Sequence, residues 1–155
     1  MMFYTNLLPK DHPTDTKQFF KNNAFDSITI HWTGPLYMQT PEVIRNWWLS
    51  QDNGAAAHFV IKDNVCMQCI PINKTAYHCG NPVGNRTSLG IEVIPYDETG
   101  IFSAQSRQTL KDLLFLFSPV PLLRHYDWSG KDCPRFYIDD EKWEKLKLAI
   151  LPDSW

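Results

Sequence analysis

Residues 88–94 read Ser-Leu-Gly-Ile-Glu-Val-Ile, an apolar run that contains a single acid, Glu92. Its aliphatic and β-branched side chains predict a buried strand, which Pro95 ends because proline has no backbone N–H for a sheet ladder. A carboxylate is rarely buried without a partner or a function. Glu92 is therefore the first candidate for a catalytic residue.

Further strands and helices are predicted on both sides of this run. Alternating or β-branched segments indicate strands at residues 27–31, 58–63, 65–70 and 122–124, the middle two joined as a hairpin near Asp63-Asn64. Capping residues and helical apolar spacing predict a helix from Thr40 to the Asn53-Gly54 stop, and others that begin near Ser103 and at Asp139 or Asp140. A short helix is also predicted from Thr14. Together these elements indicate a sheet with packed helices, an α/β or α+β domain.

The length of 155 residues predicts one domain, residues 1–155, with a core of about 24–150. A net charge of -2 and the absence of a basic cluster argue against nucleic-acid binding. No apolar stretch is long enough for membrane insertion, and the N-terminus lacks the features of a signal peptide. We expect a chain made in the cytoplasm, or one whose leader has been removed. The oligomeric state is left open.

Three residues have the chemistry of a zinc site. His31 ends a predicted strand, His125 closes another, and Cys133 follows eight residues later across a loop that contains Gly130. A catalytic zinc typically takes three protein ligands of this kind and keeps one position for water. The spacing alone is weak, since His31 taken by itself fits an ordinary partly buried histidine.

A second metal site is conceivable at Cys66 and Cys69, with His78 and Cys79 nearby in the sequence. Residues three apart on a strand point to opposite faces, however, so both thiols cannot bind one metal without breaking the strand. The preferred interpretation is that these cysteines are small packing residues.

Five segments in order carry a family resemblance. They are Ile30-His31-Trp32-Thr33, residues 57–61 (Ala-His-Phe-Val-Ile), Tyr77-His78-Cys79-Gly80, residues 85–93 (Asn-Arg-Thr-Ser-Leu-Gly-Ile-Glu-Val), and His125-Tyr126 with residues 130–134 (Gly-Lys-Asp-Cys-Pro). Together they resemble the type 2 N-acetylmuramoyl-L-alanine amidases, relatives of peptidoglycan recognition proteins and phage endolysins. The resemblance runs from about residue 28 to 143. It implies an α/β domain with a central mixed sheet flanked by helices and one zinc ion at an end of the sheet.

The resemblance also implies roles for individual residues. Glu92 matches the acid that activates water in one branch of the family, and Lys131 matches the residue that steadies the oxyanion. Another branch uses a tyrosine where this chain has Ala57, so that route is closed here. The implied zinc ligands are His31, His125 and Cys133.

Substrate contacts are expected from four further residues. His78 matches a segment near the groove of the family, and Trp32 offers a flat apolar face to sugar or peptide. Asn85 and Arg86 are predicted on a turn before the Glu92 strand, where they could contact the stem peptide, although turn chemistry explains Asn85 equally well.

The function implied by the resemblance is zinc-dependent hydrolysis of the amide bond between N-acetylmuramic acid and L-alanine in bacterial peptidoglycan. The third ligand and the pairing of Ala57 with Glu92 favour a phage or prophage-type lysin, which would reach the cell wall after holin release or lysis. One alternative is a non-catalytic peptidoglycan-binding module of the same fold, which would be expected to lose a ligand or the acid. Another is a thiol hydrolase using Cys133 with His125 as base, which Pro134 disfavours because it supplies no backbone donor.

Overall fold

A six-stranded mixed sheet lies at the centre of the computed structural model, which describes residues 1–155. Its strands are β1 (Met2–Thr5), β2 (Ser27–Trp32), β3 (Phe59–Lys62), β4 (Val65–Gln68), β5 (Ser88–Val93) and β6 (Leu122–Arg124). They are ordered β1-β4-β3-β5-β2-β6. Only the β3–β4 hairpin pairs antiparallel. Strands β2, β3, β5 and β6 therefore run in one direction and end at the same edge, and the predicted α/β class with a mixed sheet is confirmed.

Five α-helices surround the sheet. They are α1 (Pro41–Leu49), α2 (Pro82–Thr87), α3 (Ala104–Leu114), α4 (His125–Ser129) and α5 (Asp140–Ile150), with 3-10 turns at Lys21–Asn23 and Arg135–Tyr137. The predicted caps of α3 and α5 are present, because Ser103 accepts a hydrogen bond from the Ser106 N–H and Asp139 accepts one from the Lys142 N–H. The longest helices have eleven residues, too few to cross the apolar part of a bilayer.

The two faces of the central strands differ in chemistry. On one face the apolar residues of β2 and β5, such as Ile30 and Ile91, pack with α3 and α5 in a large core cluster. Because side chains alternate along a strand, the residues between them lie on the other face. These are Thr29 and His31 on β2 and Gly90 and Glu92 on β5. The apolar run thus carries its acid away from the main core.

The N-terminal segment departs from the prediction. No helix begins at Thr14, whose buried hydroxyl lies 3.1 Å from the His12 Nδ1, while the Thr14 N–H donates to the same ring nitrogen. Such local side-chain bonds offer the backbone an alternative to a helix. The unpredicted strand β1 forms because it pairs with β4, more than sixty residues away in the sequence.

Helix α1 ends earlier than predicted, at Leu49, and Ser50 caps it instead of the Asn53-Gly54 pair. Of its four apolar residues at helical spacing, Ile44 and Trp48 are buried, whereas Val43 and Trp47 are exposed. Trp47 is 52% exposed. The helix packs on the sheet along the narrow stripe of Ile44 and Trp48. Each preceding residue, Val43 or Trp47, is rotated about 100° from that stripe and remains outside the core.

The four cysteines are free and buried. Cys66 packs in the cluster on the α3 and α5 side of the sheet, whereas Cys69 belongs to the cluster on the opposite side with α1. Burial raises the pKa of both thiols to about 12. Because they belong to different clusters, Cys66 and Cys69 lie on opposite faces of the sheet, as the strand argument predicts.

Candidate metal centre and active site

The candidate site lies at the carboxyl edge of the parallel strands. His31 is the penultimate residue of β2, and Glu92 stands beside it in register on β5. His125 follows directly after β6 as the first residue of α4, rather than closing the strand itself. Since β5, β2 and β6 are parallel neighbours, their ends bring these three side chains together.

Cys133 completes a compact set of possible ligands. The loop after α4 returns it to the strand ends, so that one ligand atom each from His31, His125 and Cys133 lies within 4.8 Å of the others. The Nδ1 atom of His31 is 3.1 Å from the Nδ1 atom of His125 and 3.7 Å from the Cys133 Sγ. A tetrahedral zinc would hold such atoms about 3.3 to 3.6 Å apart. The geometry therefore fits a zinc ion.

The electrostatics of the three residues also fit a cation. Burial lowers the pKa of His31 well below its usual range and that of His125 to about 4, so both rings are neutral and keep a lone pair. Burial likewise raises the pKa of the Cys133 thiol far above its usual range. A thiolate at this position needs a positive charge beside it, which a divalent metal supplies.

The same features disfavour a thiol nucleophile. The imidazole nitrogen that Cys133 Sγ contacts belongs to His31, not to His125, which that mechanism requires as base. A raised thiol pKa also lowers the thiolate fraction on which reactivity depends.

A cavity of about 590 Å³ opens onto the ligand cluster. It is lined by His31, Trp32, Thr33, Gly34, Pro35, Leu36, Ile44, Trp47, Trp48, Ala55, Ala56, Tyr77, His78, Glu92, His125, Lys131, Asp132 and Cys133. A second cleft of about 680 Å³ near the chain termini holds none of the predicted site residues. The cavity at the strand ends is therefore the candidate active site, because it contains the possible metal ligands together with Glu92 and Lys131.

The Oε2 atom of Glu92 is buried in this cavity and has no hydrogen-bond partner in the protein. The other buried side-chain oxygen without a partner in the protein is Thr33 Oγ1, and it lines the same cavity. Unpaired buried polar atoms are costly, and functional sites are where they are tolerated. Burial raises the pKa of the Glu92 carboxyl to about 8, and the charge of Lys131 partly opposes that rise. A carboxyl group with such a pKa exchanges protons readily near neutral pH.

Most of the predicted site residues meet here. The cavity lining includes the three possible ligands, Glu92 and Lys131, and the expected substrate residues Trp32 and His78. His78 also lies directly against His31, with its Nδ1 2.9 Å from the His31 Nε2. Ala57 is buried in the core beside α1.

Asn85 and Arg86 do not line the cavity, and they lie in helix α2 rather than on a turn. The Asn85 Oδ1 accepts hydrogen bonds from the backbone N–H groups of His78 and Cys79, which directs its side chain inward. The helix forms because Asn81 caps it and Pro82 occupies the first position, signals that the turn interpretation overlooked.

Two exposed aromatic residues of the cavity wall were not predicted. Trp47 and Tyr77 line the cavity and are 52% and 43% exposed. The available signal for Trp47 was its helical position, about 100° from the stripe formed by Ile44 and Trp48. Flat apolar faces at a cavity rim suit sugar or peptide ligands.

Arg124 holds the backbone around the ligand loop. Its guanidinium donates to Asp127 at 2.7 Å and to Asp140 at 2.9 Å, and to the carbonyls of Tyr137 and Ile138 at 3.3 and 3.0 Å. The side chain is 9% exposed. It therefore ties the end of β6 to the segment that follows Cys133.

We expect Arg124→Met to lower the free energy of unfolding by about 3 kcal/mol, because it leaves the carbonyls of Tyr137 and Ile138 without this donor and removes the guanidinium that pairs with Asp127, whose carboxylate keeps only the backbone N–H of residue 124. Asp140→Ala is the matched control. Asp140 is 88% exposed, so its loss should cost at most about 1 kcal/mol. Urea unfolding of both variants measures the difference, and equal midpoints for the two would contradict this role of Arg124.

Comparison with known proteins adds independent information. The sequence profile of a family described as N-acetylmuramoyl-L-alanine amidase matches residues 21–136. The chain is 28% identical over 134 residues to the N-acetylmuramoyl-L-alanine amidase XlyB of Bacillus subtilis, covering 79% of this chain and 41% of that protein. It is 29% identical over 132 residues to the N-acetylmuramoyl-L-alanine amidase CwlA of the same organism, covering 79% of this chain and 48% of that protein.

A solved structure of a mutant endolysin from Bacillus subtilis superposes with a TM-score of 0.77 at 26% identity, over 97% of this chain and 99% of that chain. The chain spans less than half the length of the two curated relatives.

Proposed function

Because the chain belongs to the N-acetylmuramoyl-L-alanine amidase family, we propose that it hydrolyses the amide bond between N-acetylmuramic acid and L-alanine in bacterial peptidoglycan, with the aid of one zinc ion. The observation that carries the proposal is one cavity with two features. It contains a compact cluster of His31, His125 and Cys133 and the unpaired carboxylate of Glu92. This combination suits metal-assisted hydrolysis.

His31, His125 and Cys133 would hold the zinc, since two neutral imidazoles and a thiolate form a usual ligand set that leaves a position for water. When bound, the zinc would supply Lewis acidity that polarises the amide carbonyl and makes a water molecule more acidic. All three side chains are buried, so the proposed metal position lies where electrostatic interactions are stronger than in water.

Glu92 would move the proton. In its ionised form, which the charge of Lys131 favours and a bound zinc would favour further, the carboxylate accepts through Oε2 a proton from the attacking water and passes it to the nitrogen of the leaving L-alanine, which departs as a free amine. Lys131 lines the same cavity and carries a positive charge. Its ammonium group would stabilise the negative charge that develops on the carbonyl oxygen. The products are the carboxylate of the muramic acid and the peptide with a new amino terminus.

A non-catalytic peptidoglycan-binding module of the same fold is the alternative. Such a module needs neither a three-ligand cluster nor a buried acid whose oxygen has no partner. The presence of both in one cavity favours the enzyme.

We further propose that residues 1–155 act as one catalytic domain of a phage or prophage-type lysin that acts on the cell wall. The endolysin among the structural neighbours supports this assignment, as do the cysteine ligand and the pairing of Ala57 with Glu92. The endolysin structure is matched over nearly its whole length, whereas the amidases XlyB and CwlA are matched over less than half.

The bond that is cut can be tested by digestion of purified peptidoglycan. We expect free α-amino groups to appear on the first stem alanine, detected by dinitrophenylation and mass analysis, while reducing sugar ends stay at the level of the undigested wall. New reducing ends would identify a glycosidase instead. Binding to the wall without any new amino groups would favour the non-catalytic alternative.

A further inference from the structure

Two histidine rings and a backbone carbonyl form a chain that leads to the ligand cluster. His78 Nε2 lies 3.0 Å from the carbonyl oxygen of Ser88, and His78 Nδ1 lies 2.9 Å from His31 Nε2. His31 Nδ1 in turn faces His125 and Cys133. The two rings cross edge to face at an interplanar angle of 83°. Each ring nitrogen of His31 and His78 therefore has a defined neighbour.

The carbonyl determines where the hydrogens lie along this chain. A carbonyl oxygen only accepts, so Nε2 of His78 carries the hydrogen of the neutral ring. Nδ1 of His78 is then an acceptor, and Nε2 of His31 must donate to it. The one hydrogen of the neutral His31 ring is thereby used, which leaves the lone pair on Nδ1, the atom that faces the other two ligands.

The surrounding structure is shaped to hold His78 in this place. Gly90 lies beneath the ring, and a Cβ atom there would come within 2.7 Å of the His78 Cγ. The Oδ1 of Asn85 accepts hydrogen bonds from the His78 N–H at 2.9 Å and from the Cys79 N–H at 3.0 Å. Both sides of the residue are thus constrained, one by a missing side chain and the other by a side-chain cap.

We propose that His78 is a positioning residue for the metal centre, which selects the tautomer of His31 and orients its Nδ1 toward the metal. The inference rests on the proposed zinc site, and this role comes in addition to the substrate contact expected of His78, which lines the cavity. Groups that hydrogen bond to a ligating histidine fix its ring orientation and raise its basicity. His58, a buried histidine near His78, is the matched control, because it bonds to the Lys74 carbonyl and the Gly90 N–H and not to a proposed zinc ligand.

The test compares three variants of the full chain. His78→Phe keeps a ring but removes the acceptor, and zinc affinity measured by competition with a chromogenic chelator should fall about 10- to 100-fold. His78→Asn places an oxygen near the position of Nδ1 and should restore most of the affinity. His58→Asn should bind zinc like the unchanged protein, although it lowers stability.

A spectroscopic readout separates positioning from a general loss of stability. In the zinc-loaded protein the His31 Nε2–H should give a slowly exchanging imidazole resonance in ¹H–¹⁵N spectra. This resonance should persist in His78→Asn and His58→Asn and be lost to solvent exchange in His78→Phe. Unchanged zinc affinity and an unchanged resonance in His78→Phe would overturn the inference and leave the proposed function intact. Absence of zinc binding by the unchanged protein would instead overturn the proposed function.

Discussion

Replacing Glu92 with glutamine should lower the rate of peptidoglycan hydrolysis by about 10²-fold or more while zinc content stays at one per chain. Glutamine keeps the shape of the side chain and its hydrogen-bonding capacity but cannot accept the proton of water. The Oε2 of Glu92 has no partner in the protein, so no structural hydrogen bond is lost with the carboxylate.

The Glu92→Gln variant should also be at least as resistant to thermal unfolding as the unchanged chain. Burying a group that is never charged costs less than burying a carboxyl group. The measurements are initial rates of amine release, zinc by elemental analysis, and the melting temperature. Near-normal turnover would mean that another group is the base, and the alternative position of the family is occupied here by Ala57, which has no acidic or basic group.

Cys133→Ser should remove zinc and activity together. A thiolate contributes a negative charge and a strong metal bond that a serine hydroxyl does not match at neutral pH. The Sγ atom of Cys133 lies 3.7 Å from the Nδ1 of His31 in the ligand cluster, so the change affects the metal centre directly. Zinc stoichiometry after gel filtration should fall from about one to well below one per chain.

The other three cysteines provide matched controls for this prediction. Cys66 and Cys69 belong to the two core clusters, and the thiol of Cys79 donates a hydrogen bond to the Oδ1 of Asn85 at 3.3 Å. Each change to alanine should cost on the order of 1 kcal/mol of stability through lost packing, and at Cys79 also through the lost hydrogen bond, and leave the zinc content unchanged. Full zinc in Cys133→Ser, with loss in one of the three controls, would place the metal near the hairpin and contradict the ligand set.

The helices α3 and α5 and five of the six strands were predictable because their signals are local. The caps at Ser103 and Asp139 and the aliphatic run around Glu92 act within a few residues of themselves. Local signals failed at the N-terminus, where strand β1 was missed and a helix was wrongly predicted from Thr14. Strand β1 exists through its pairing with β4. The segment at Thr14 bonds locally to His12, and the other ring nitrogen of His12 lies 3.0 Å from the carbonyl oxygen of Leu49, a long-range contact that no local pattern encodes.

The residues of the candidate site also fall into two groups, those that the sequence indicated and those that only the structure revealed. His31, Glu92, His125 and Cys133 could be selected from the sequence, because each is a reactive residue type at the end of a predicted element or within an apolar run, and because the family resemblance orders them. The sequence could not reveal that Asn85 turns inward, that Trp47 lies on the cavity wall, or that His78 bonds to His31. These positions depend on how α1, α2 and the sheet pack together.

By itself, then, the sequence determined the α/β fold class, the family and the residue types of the site, since periodicity, caps and motifs are properties of neighbouring residues along the chain. Only the tertiary structure decided which side chains share one point in space. The parallel order of β5, β2 and β6 brings together residues 31, 92 and 125, and the loop after α4 adds residue 133. Long-range strand pairing and burial produce that convergence, and they also orient each ring nitrogen and leave the Glu92 oxygen without a partner.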